Sequence, residues 1–351
     1  MADAELRLLD LFAGCGGLTA GFLQAGRYSS VGAVEVDRDA ASTYAVNFGE
    51  HSPPSDIRDW ASGSLPRADV VVGGPPCQGF SALGRRNALD PRNLLWREFV
   101  EVIRRVRPAF FLLENVPRFT STDEFTSLRR EVSPGGLLEQ YDLEVHVLDA
   151  ADYGSPQARK RAFVVGRPRG MRALGAPPIV PERRVLSDVL ADVERVVTTV
   201  DLPDSHVGVF GTQVPGAYKM RDLHVTVRAS PISQERYLAV PPGGGRLDLP
   251  EHLKLPAWRG NYRGAVDVMG RLRWDRPSVT IRTGFFRPEK GRFLHPFEHR
   301  PLTHYEAALI QGFPKDYLWC GSKASIARQI GNAVPLPLAK ALGSHIARHL
   351  V

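Results

Sequence analysis

The sequence lacks the cysteine pattern of a disulfide-stabilised or zinc-binding protein. Its 351 residues include only three cysteines, Cys15, Cys77 and Cys320, which are widely spaced and form no C-x-x-C pair. Disulfide frameworks and cysteine-ligated zinc sites both need clustered cysteines. The pattern argues against both classes, so we expect three free thiols and no metal site.

Long apolar runs are also missing. No stretch approaches the ~20 residues of a membrane-spanning helix, and the N-terminus, MADAELRLLDLF, has no apolar run of signal-peptide length. With 43% hydrophobic and 24% charged residues, the composition is typical of a folded protein. We therefore expect a cytoplasmic protein with no membrane partner.

Positive charge is concentrated in one interval of the chain. The formal net charge is +7, and residues 183–300 hold 19 Arg and Lys against 13 Asp and Glu, a balance of +6 that leaves +1 for the remainder. A composition rich in arginine throughout would explain the total but not its placement. Binding to a polyanion requires clustered cations, so the interval predicts a polyanion-binding module.

Short apolar runs alternate with candidate helices in the first half of the chain, which predicts a doubly wound α/β fold with a mostly parallel sheet. After Gly166 the sequence becomes rich in Pro and Gly, and helical patterns return near the C-terminus. We predict one domain from residues 1–180 plus 310–351, and a smaller basic domain over 183–300. The predicted strands are LRLLDLF, SSVGAVEVD, ADVVVGG, PAFFLLEN and AFVVG.

The first two predicted strands end in residues suited to a nucleoside. Ligands of open α/β sheets bind beyond the carboxyl ends of the strands. The first strand runs into the glycine turn DLFAGCGG, which allows close backbone approach and leaves helix N-terminal amides free. Glu35 and Asp37 follow about twenty residues later, where an acid can accept hydrogen bonds from ribose hydroxyls. Glycine turns also occur for packing alone, but the acid favours a nucleoside-containing cofactor.

The stretch VVVGGPPCQGFS raises the question of what its cysteine does. A strand cannot continue through Pro75 and Pro76, so Cys77 is expected on a turn at the same edge of the sheet. Glu114, after a neighbouring strand, could act as a general acid or bond to a ring nitrogen. A buried filler thiol and a helix-capping acid are the alternatives.

The segment QARKR places two arginines two residues apart. If the segment is extended, Arg159 and Arg161 share one face. A solvated basic edge would look the same, so the residues alone leave both readings open.

Taken together, these segments resemble the ordered motif set of the DNA (cytosine-5) methyltransferases. The match runs from about Leu6 to Gly343, and only Val185 to Trp274 has no motif. In this family that interval is the variable target-recognition region, and it falls within the basic interval. The matching motifs are DLFAGCGG, GGPPCQGFS, ENV, QARKR, RPLTHYEAALIQGFP and QIGNAVP.

The resemblance implies a mechanism. Cys77 would add to C6 of cytosine, which makes C5 nucleophilic enough to take a methyl group. Glu114 would contact N3 and the exocyclic amine, and Arg161, with Arg159 nearby, would hold the base at O2. Since C5 is stacked inside a duplex, the family extrudes the base into its pocket.

The resemblance also implies S-adenosylmethionine as the cofactor. Phe12 would stack on adenine, and Glu35 would accept hydrogen bonds from the ribose hydroxyls. An acid and an apolar residue would recognise the adenine edge, and the glycine turn and QIGNAVP would hold the methionine moiety. An aromatic residue commonly follows the ribose-binding acid in this family, and here Val36 replaces it. The assigned cofactor-binding residues are Phe12, Ala13, Gly14, Cys15, Gly17, Glu35, Asp56, Ile57, Pro76, Asn332 and Val334.

The resemblance implies double-stranded DNA as the partner, a nucleoid location, a monomer on DNA and a restriction–modification role with a separate cognate endonuclease.

Three other functions compete with this interpretation. A nicotinamide-dependent oxidoreductase would share the glycine turn but not the cysteine turn. A tRNA cytosine-5 methyltransferase tends to carry Thr where Ser81 stands and lacks a long basic insert. A DNA-binding regulator without catalytic activity would not need the cysteine, the glutamate and the two arginines together.

Overall fold

A computed structural model describes residues 5–76, 94–259 and 267–350. The predicted nucleophile, Cys77, lies outside the described residues, as does Arg263 of the basic interval.

The described residues form strands and helices in the following chain order. The strands are β1 (Leu6–Leu11), β2 (Tyr28–Val34), β3 (Val70–Gly73), β4 (Phe110–Asn115), β5 (Tyr141–Asp149), β6 (Lys160–Pro168), β7 (His206–Val209), β8 (Thr212–Pro215), β9 (Tyr218–Lys219) and β10 (Leu318–Trp319). The helices are α1 (Gly17–Leu23), α2 (Arg38–Phe48), α3 (Ile57–Ser62), α4 (Leu95–Val106), α5 (Asp123–Glu131), α6 (Ser187–Leu190), α7 (Pro231–Ala239), α8 (His304–Gln311), α9 (Lys323–Asn332) and α10 (Leu336–Ala347).

The central sheet has the order β2-β1-β3-β4-β6-β5. β1 to β4 pair in parallel, whereas β6 is antiparallel to both β4 and β5. The predicted mostly parallel sheet is thus confirmed. β5 was not among the predicted strands. It lies at the edge and alternates apolar with charged residues, whereas the central strands are the continuous apolar runs expected of strands covered on both faces.

Helices cover both faces of the sheet, as a doubly wound fold requires. Successive β1 residues point to opposite faces, so Leu8 packs in the core beneath α1 and α10, and Leu9 packs in the core beneath α3, α4 and α5. The Tyr28 hydroxyl donates to the Gly343 carbonyl at 2.8 Å. The C-terminal segment therefore returns to the first half of the chain, as the sequence predicts.

Strands and helices do not alternate in the described residues of the basic interval, 183–259 and 267–300. Leu186 and Phe293, near its two ends, pack in one cluster with α8 and α9. A smaller separate cluster inside the interval contains Tyr237, Trp258 and Met269. The division into two domains with the boundaries given above remains a prediction.

Two arginines of the basic interval do not face solvent. Arg246 and Arg271 are each only 2% exposed. The Arg271 guanidinium donates to the backbone carbonyls of Tyr237, Val240 and His295. Because these carbonyls surround its guanidinium, Arg271 does not present a charge to a phosphate in this structure.

No helix in the described part of the chain has the length and apolar character to cross a bilayer.

Candidate active site

The carboxyl ends of β1 to β4 and the C-terminal end of α9 surround a pocket of about 840 Å³. Every predicted site residue that the structure describes lines this pocket. From the cofactor set these are Phe12, Ala13, Gly14, Cys15, Gly17, Glu35, Asp56, Ile57, Pro76, Asn332 and Val334, and from the catalytic set Glu114, Arg159 and Arg161.

The glycine turn after β1 forms one wall. Gly14 and Gly16 have positive φ values of 55° and 87°, the left-handed region in which glycine is favoured. A side chain at Gly16 would also collide with the Phe48 ring. Phe12 has a φ of 59° although it is not glycine, a conformation that costs about 1–3 kcal/mol. Such strain is concentrated at functional sites, and here it accompanies an aromatic ring in the pocket wall.

The Glu35 carboxylate is held in a fixed orientation at the end of β2. Oε2 accepts a hydrogen bond from the Gly14 amide at 2.8 Å, and Oε1 accepts one from the Asp37 amide at 2.7 Å. Burial raises the pKa of Glu35, and the two amide donors oppose that rise. Each carboxylate oxygen can accept more than one hydrogen bond, so Glu35 can still bind hydroxyls in the pocket.

Asp56 and Ile57 form the next part of the wall. Asp56 caps α3 by accepting from the Arg58 amide at 2.9 Å and forms an ion pair with the Arg58 guanidinium at 2.6 Å. The hydrogen bonds from Arg58 lower the pKa of Asp56 to about 2, so the carboxylate is charged at neutral pH. Ile57 is 4% exposed, whereas Val36 at the rim is 67% exposed.

Glu114 and Arg161 form an ion pair in the opposite part of the pocket. The Arg161 Nε lies 2.9 Å from Glu114 Oε1. Antiparallel pairing of β4 with β6 places Glu114 opposite Phe163, two residues from Arg161. Burial raises the pKa of Glu114, and the positive charges of Arg161 and Arg159 oppose that rise. The pocket therefore contains a buried carboxyl group whose pKa lies above its ordinary value.

Gly74 brings the turn that leads to Cys77 close to this acid. A Cβ at Gly74 would lie 2.9 Å from Glu114 Oε2, which is closer than real Cβ atoms approach such a group. The Asn115 side-chain amide donates to the Pro75 carbonyl at 3.3 Å, and its oxygen accepts from the Val116 amide at 2.8 Å. Asn115 was not predicted as a site residue, although its place inside the ENV motif was a signal.

Arg159 lines the pocket but is 2% exposed and bonded to the backbone. Its guanidinium donates to the Ile281 carbonyl at 2.7 Å and to the Gly331 carbonyl at 3.0 Å. These contacts hold three chain segments together at the pocket. Contact between Arg159 and a base remains a prediction.

Sequence reasoning missed several further residues of the site. Arg282, Thr283 and Arg328 also line the pocket. Asp10, at the end of β1, is 1% exposed and accepts from the Thr19 hydroxyl at 2.7 Å. Burial raises the pKa of Asp10 to about 7. Asp10 is the first residue of the DLFAGCGG motif, but the motif did not show that this acid is buried beneath the glycine turn.

Among the described residues, Cys15 and Cys320 are free and buried, as expected for unpaired thiols. No group of three or more His, Cys, Asp or Glu in the described ranges is arranged to hold a metal ion.

Known proteins of similar sequence are DNA methyltransferases. A family model described as C-5 cytosine-specific DNA methylase matches residues 6–348. Type II methyltransferase M1.HphI of Haemophilus parahaemolyticus is 34% identical over 98% of this chain and 87% of its own length. Type II methyltransferase M.DdeI of Desulfomicrobium norvegicum is 32% identical over 97% of this chain and 88% of its own.

Solved structures share the fold along the whole chain. A DNA modification methyltransferase encoded within an E. coli prophage superposes with a TM-score of 0.72 and 25% identity, and the match covers 99% of both chains. The S. pombe Dnmt2 methyltransferase gives a TM-score of 0.60 at 19% identity, again over 99% of both chains. At that lower identity the likeness concerns the fold alone.

Proposed function

Since the chain belongs to the C-5 cytosine-specific DNA methylase family and methylates C5 of cytosine in DNA, we propose that the pocket described above binds both substrates of this reaction. The observation that carries the proposal is the presence of two half-sites in one pocket. Glu35 and the glycine turn form one of them, and the Glu114–Arg161 ion pair forms the other.

The first half-site fits S-adenosylmethionine. The pocket volume of about 840 Å³ lies within the range of small-molecule sites. The oriented Glu35 carboxylate would accept hydrogen bonds from the ribose hydroxyls. Phe12 would stack on the adenine ring, and Asp56 with Ile57 would contact the edge of that ring. The backbone from Ala13 to Gly17, Pro76, Asn332 and Val334 would enclose the remainder. When bound, this cofactor supplies an electrophilic methyl group on a sulfonium centre.

The second half-site would prepare the cytosine. The Cys77 thiolate forms a bond from Sγ to C6, and the electron pair of the C5–C6 double bond moves so that C5 becomes nucleophilic. Glu114 bonds N3 and the exocyclic amine and offsets charge on the ring, and Arg161 holds O2. Once C5 carries the methyl group, loss of the C5 proton restores the double bond and expels the Cys77 thiolate.

The substrate proposed is double-stranded DNA carrying a specific sequence. The target base would leave the stack to reach the pocket, at a cost of a few kcal/mol that protein contacts offset. The exposed cations of the basic interval, such as Arg228, would supply phosphate contacts and base readout. We further propose a monomer that acts at the nucleoid, and a separate cognate endonuclease because two relatives described above are type II enzymes.

A host strain that expresses the wild type or Cys77→Ser tests the proposed chemistry. Bisulfite sequencing of its DNA should show cytosines methylated in one sequence context with the wild type and none with the variant. The purified variant should still bind S-adenosylhomocysteine, because Cys77 is assigned to attack on the base. More than trace methylation by the variant would exclude Cys77 as the nucleophile, and methylation without a defined context would exclude a sequence-specific enzyme.

A further inference from the structure

A chain of buried side-chain amides connects two segments of the pocket wall. Gln157 and Gln311 are both 0% exposed. Gln157 Oε1 accepts from the Ile281 amide at 2.8 Å, and Gln157 Nε2 donates to Gln311 Oε1 at 2.8 Å. Neither glutamine lines the pocket, and the proposed chemistry uses neither of them.

The far end of this chain is the loop that follows α9. Gln311 Nε2 donates to the Ile330 carbonyl and to the Ala333 carbonyl, the latter at 3.3 Å. Ala333 lies between Asn332 and Val334, and all three line the pocket. The amide chain therefore ends on the part of the wall assigned to the methionine moiety.

The near end is a segment of the basic interval itself, residues 281–283. Gln157 holds the Ile281 amide and Arg159 holds the Ile281 carbonyl, so both backbone groups of that residue are fixed. The next two residues, Arg282 and Thr283, line the pocket.

The two segments also touch directly. A Cβ at Gly331 would collide with the backbone of Arg282 and Thr283, so the end of α9 and this segment of the basic interval are in close backbone contact. An unpaired amide buried at either glutamine would be unfavourable. Displacement of one segment therefore breaks hydrogen bonds unless the other segment moves with it.

We propose that Gln157 and Gln311 are positioning residues that couple engagement of DNA by the basic interval to affinity for the cofactor. The inference rests on the proposed function, because it takes the basic interval to bind DNA and the pocket to bind the adenosyl ligand. Coupling of this kind is reciprocal, and a factor of about 5–150 is typical.

The test is a ratio of dissociation constants. Calorimetry would give the Kd of S-adenosylhomocysteine with and without a duplex that carries the context found by bisulfite sequencing. We expect the duplex to tighten binding by at least about fivefold in the wild type. Gln311→Glu keeps the acceptor for Gln157 but removes the donor to Ile330 and Ala333. Gln311→Met keeps the volume and removes all polar contacts.

A matched control comes from another side-chain amide that bonds to the backbone. Asn47 donates to the Leu318 carbonyl at 2.8 Å and accepts from the Leu318 amide at 3.1 Å, and it does not line the pocket. Asn47→Asp removes a donor in the same way as Gln311→Glu. It should lower the melting temperature without changing the coupling ratio.

Coupling that falls below about twofold in both Gln311 variants and is retained in Asn47→Asp supports the proposal. Three results overturn it: no coupling in the wild type, wild-type coupling in either folded Gln311 variant, or loss of folding in both Gln311 variants while Asn47→Asp folds. Failure of the wild type to bind S-adenosylhomocysteine without DNA would instead contradict the proposed cofactor site.

Discussion

Two buried carboxyl groups, Asp10 and Glu114, lie near the carboxyl ends of central strands but have different surroundings. Glu114 has an arginine at 2.9 Å and lines the pocket, whereas Asp10 accepts from the Thr19 hydroxyl and does not line it. Burial raises the pKa of both. The ion pair favours the charged form of Glu114, so its proton can be lost and regained during a reaction, whereas Asp10 carries an energetic cost when it ionises.

Glu114→Gln should lower kcat by about 10²–10⁴, the usual contribution of a positioned acid or base, while the Kd of S-adenosylhomocysteine stays close to that of the wild type. If Glu114 donates its proton to N3, wild-type kcat falls as pH rises through the raised pKa of this residue. The residual kcat of Glu114→Gln should not fall over the same pH range. Rates of tritiated methyl transfer against pH would show this. Glu101→Gln, a surface ion-pair partner of Arg104, is the control, and a loss of similar size there would refute a specific role.

Asp10→Asn should change how stability depends on pH. The ordinary aspartate pKa is about 3.9, and burial raises it to about 7 in the folded protein. The folded state thus binds more protons than the unfolded state between about pH 4 and pH 7, so the free energy of unfolding falls as pH rises through that window, by up to ~4 kcal/mol. Urea unfolding at pH 5 and pH 7.5 should show this fall in the wild type and a smaller one in the variant.

Asp69→Asn is the control for this pH dependence. The Arg7 guanidinium lowers the pKa of Asp69, so that residue titrates below the window. Its removal should leave the difference between pH 5 and pH 7.5 as in the wild type. Equal pH dependence of the wild type and Asp10→Asn would show that Asp10 does not titrate in this range.

Single residues at the strand ends were predictable where a motif fixed both their type and their place. Glu35, Glu114 and Arg161 are of this kind. The contacts of Gln157, the first residue of QARKR, were not predictable, because its partners Ile281 and Gln311 lie 124 and 154 positions away in the chain. Asn115 bonds to Pro75, 40 positions away. Such contacts depend on the complete fold, which short-range sequence patterns do not encode.

At the scale of elements, Gly331 near the end of α9 approaches the backbone of Arg282 and Thr283, in the basic interval, more closely than a side chain would allow. Gly331→Ala should therefore destabilise the protein by about 1–3 kcal/mol, the usual cost of overpacking, and weaken the binding of S-adenosylhomocysteine. Gly63→Ala is the matched control, since the nearest atom to its new Cβ would be the Trp60 carbonyl oxygen at 3.5 Å. Thermal melts and calorimetry would separate the two variants, and equal behaviour would contradict this close packing.

The elements show why β5 escaped prediction while β1, β3 and β4 did not. Central strands bury both faces and are mostly apolar, whereas Val145 and Val147 of β5 remain 41% and 52% exposed. At an edge, the alternation of apolar and charged residues is compatible with several local structures. Hydrogen bonding to β6, rather than local pattern, fixes this strand.

At the scale of the whole molecule, the basic interval contains cations of two kinds. Arg271→Ala should destabilise the protein, because its guanidinium donates to several buried carbonyls. Arg228 has a side chain that is 83% exposed, and Arg228→Ala should weaken binding to all DNA sequences and reduce the slope of log K against log salt by about 1. Titrations at several salt concentrations, with thermal melts, would distinguish them. A stability loss in Arg228→Ala alone would reverse this assignment.

The central claim is that the turn after β3 presents Cys77 to a cytosine held beside Glu114. Duplex DNA with 5-fluorocytosine at every cytosine tests it, because the fluorine cannot leave as the C5 proton does and the adduct is trapped. With S-adenosylmethionine present, the wild type should give a covalent complex that survives denaturation, and peptide mapping should place the DNA on Cys77. Cys77→Ser should give none. A complex attached at another residue, or no complex with active wild type, would contradict the account.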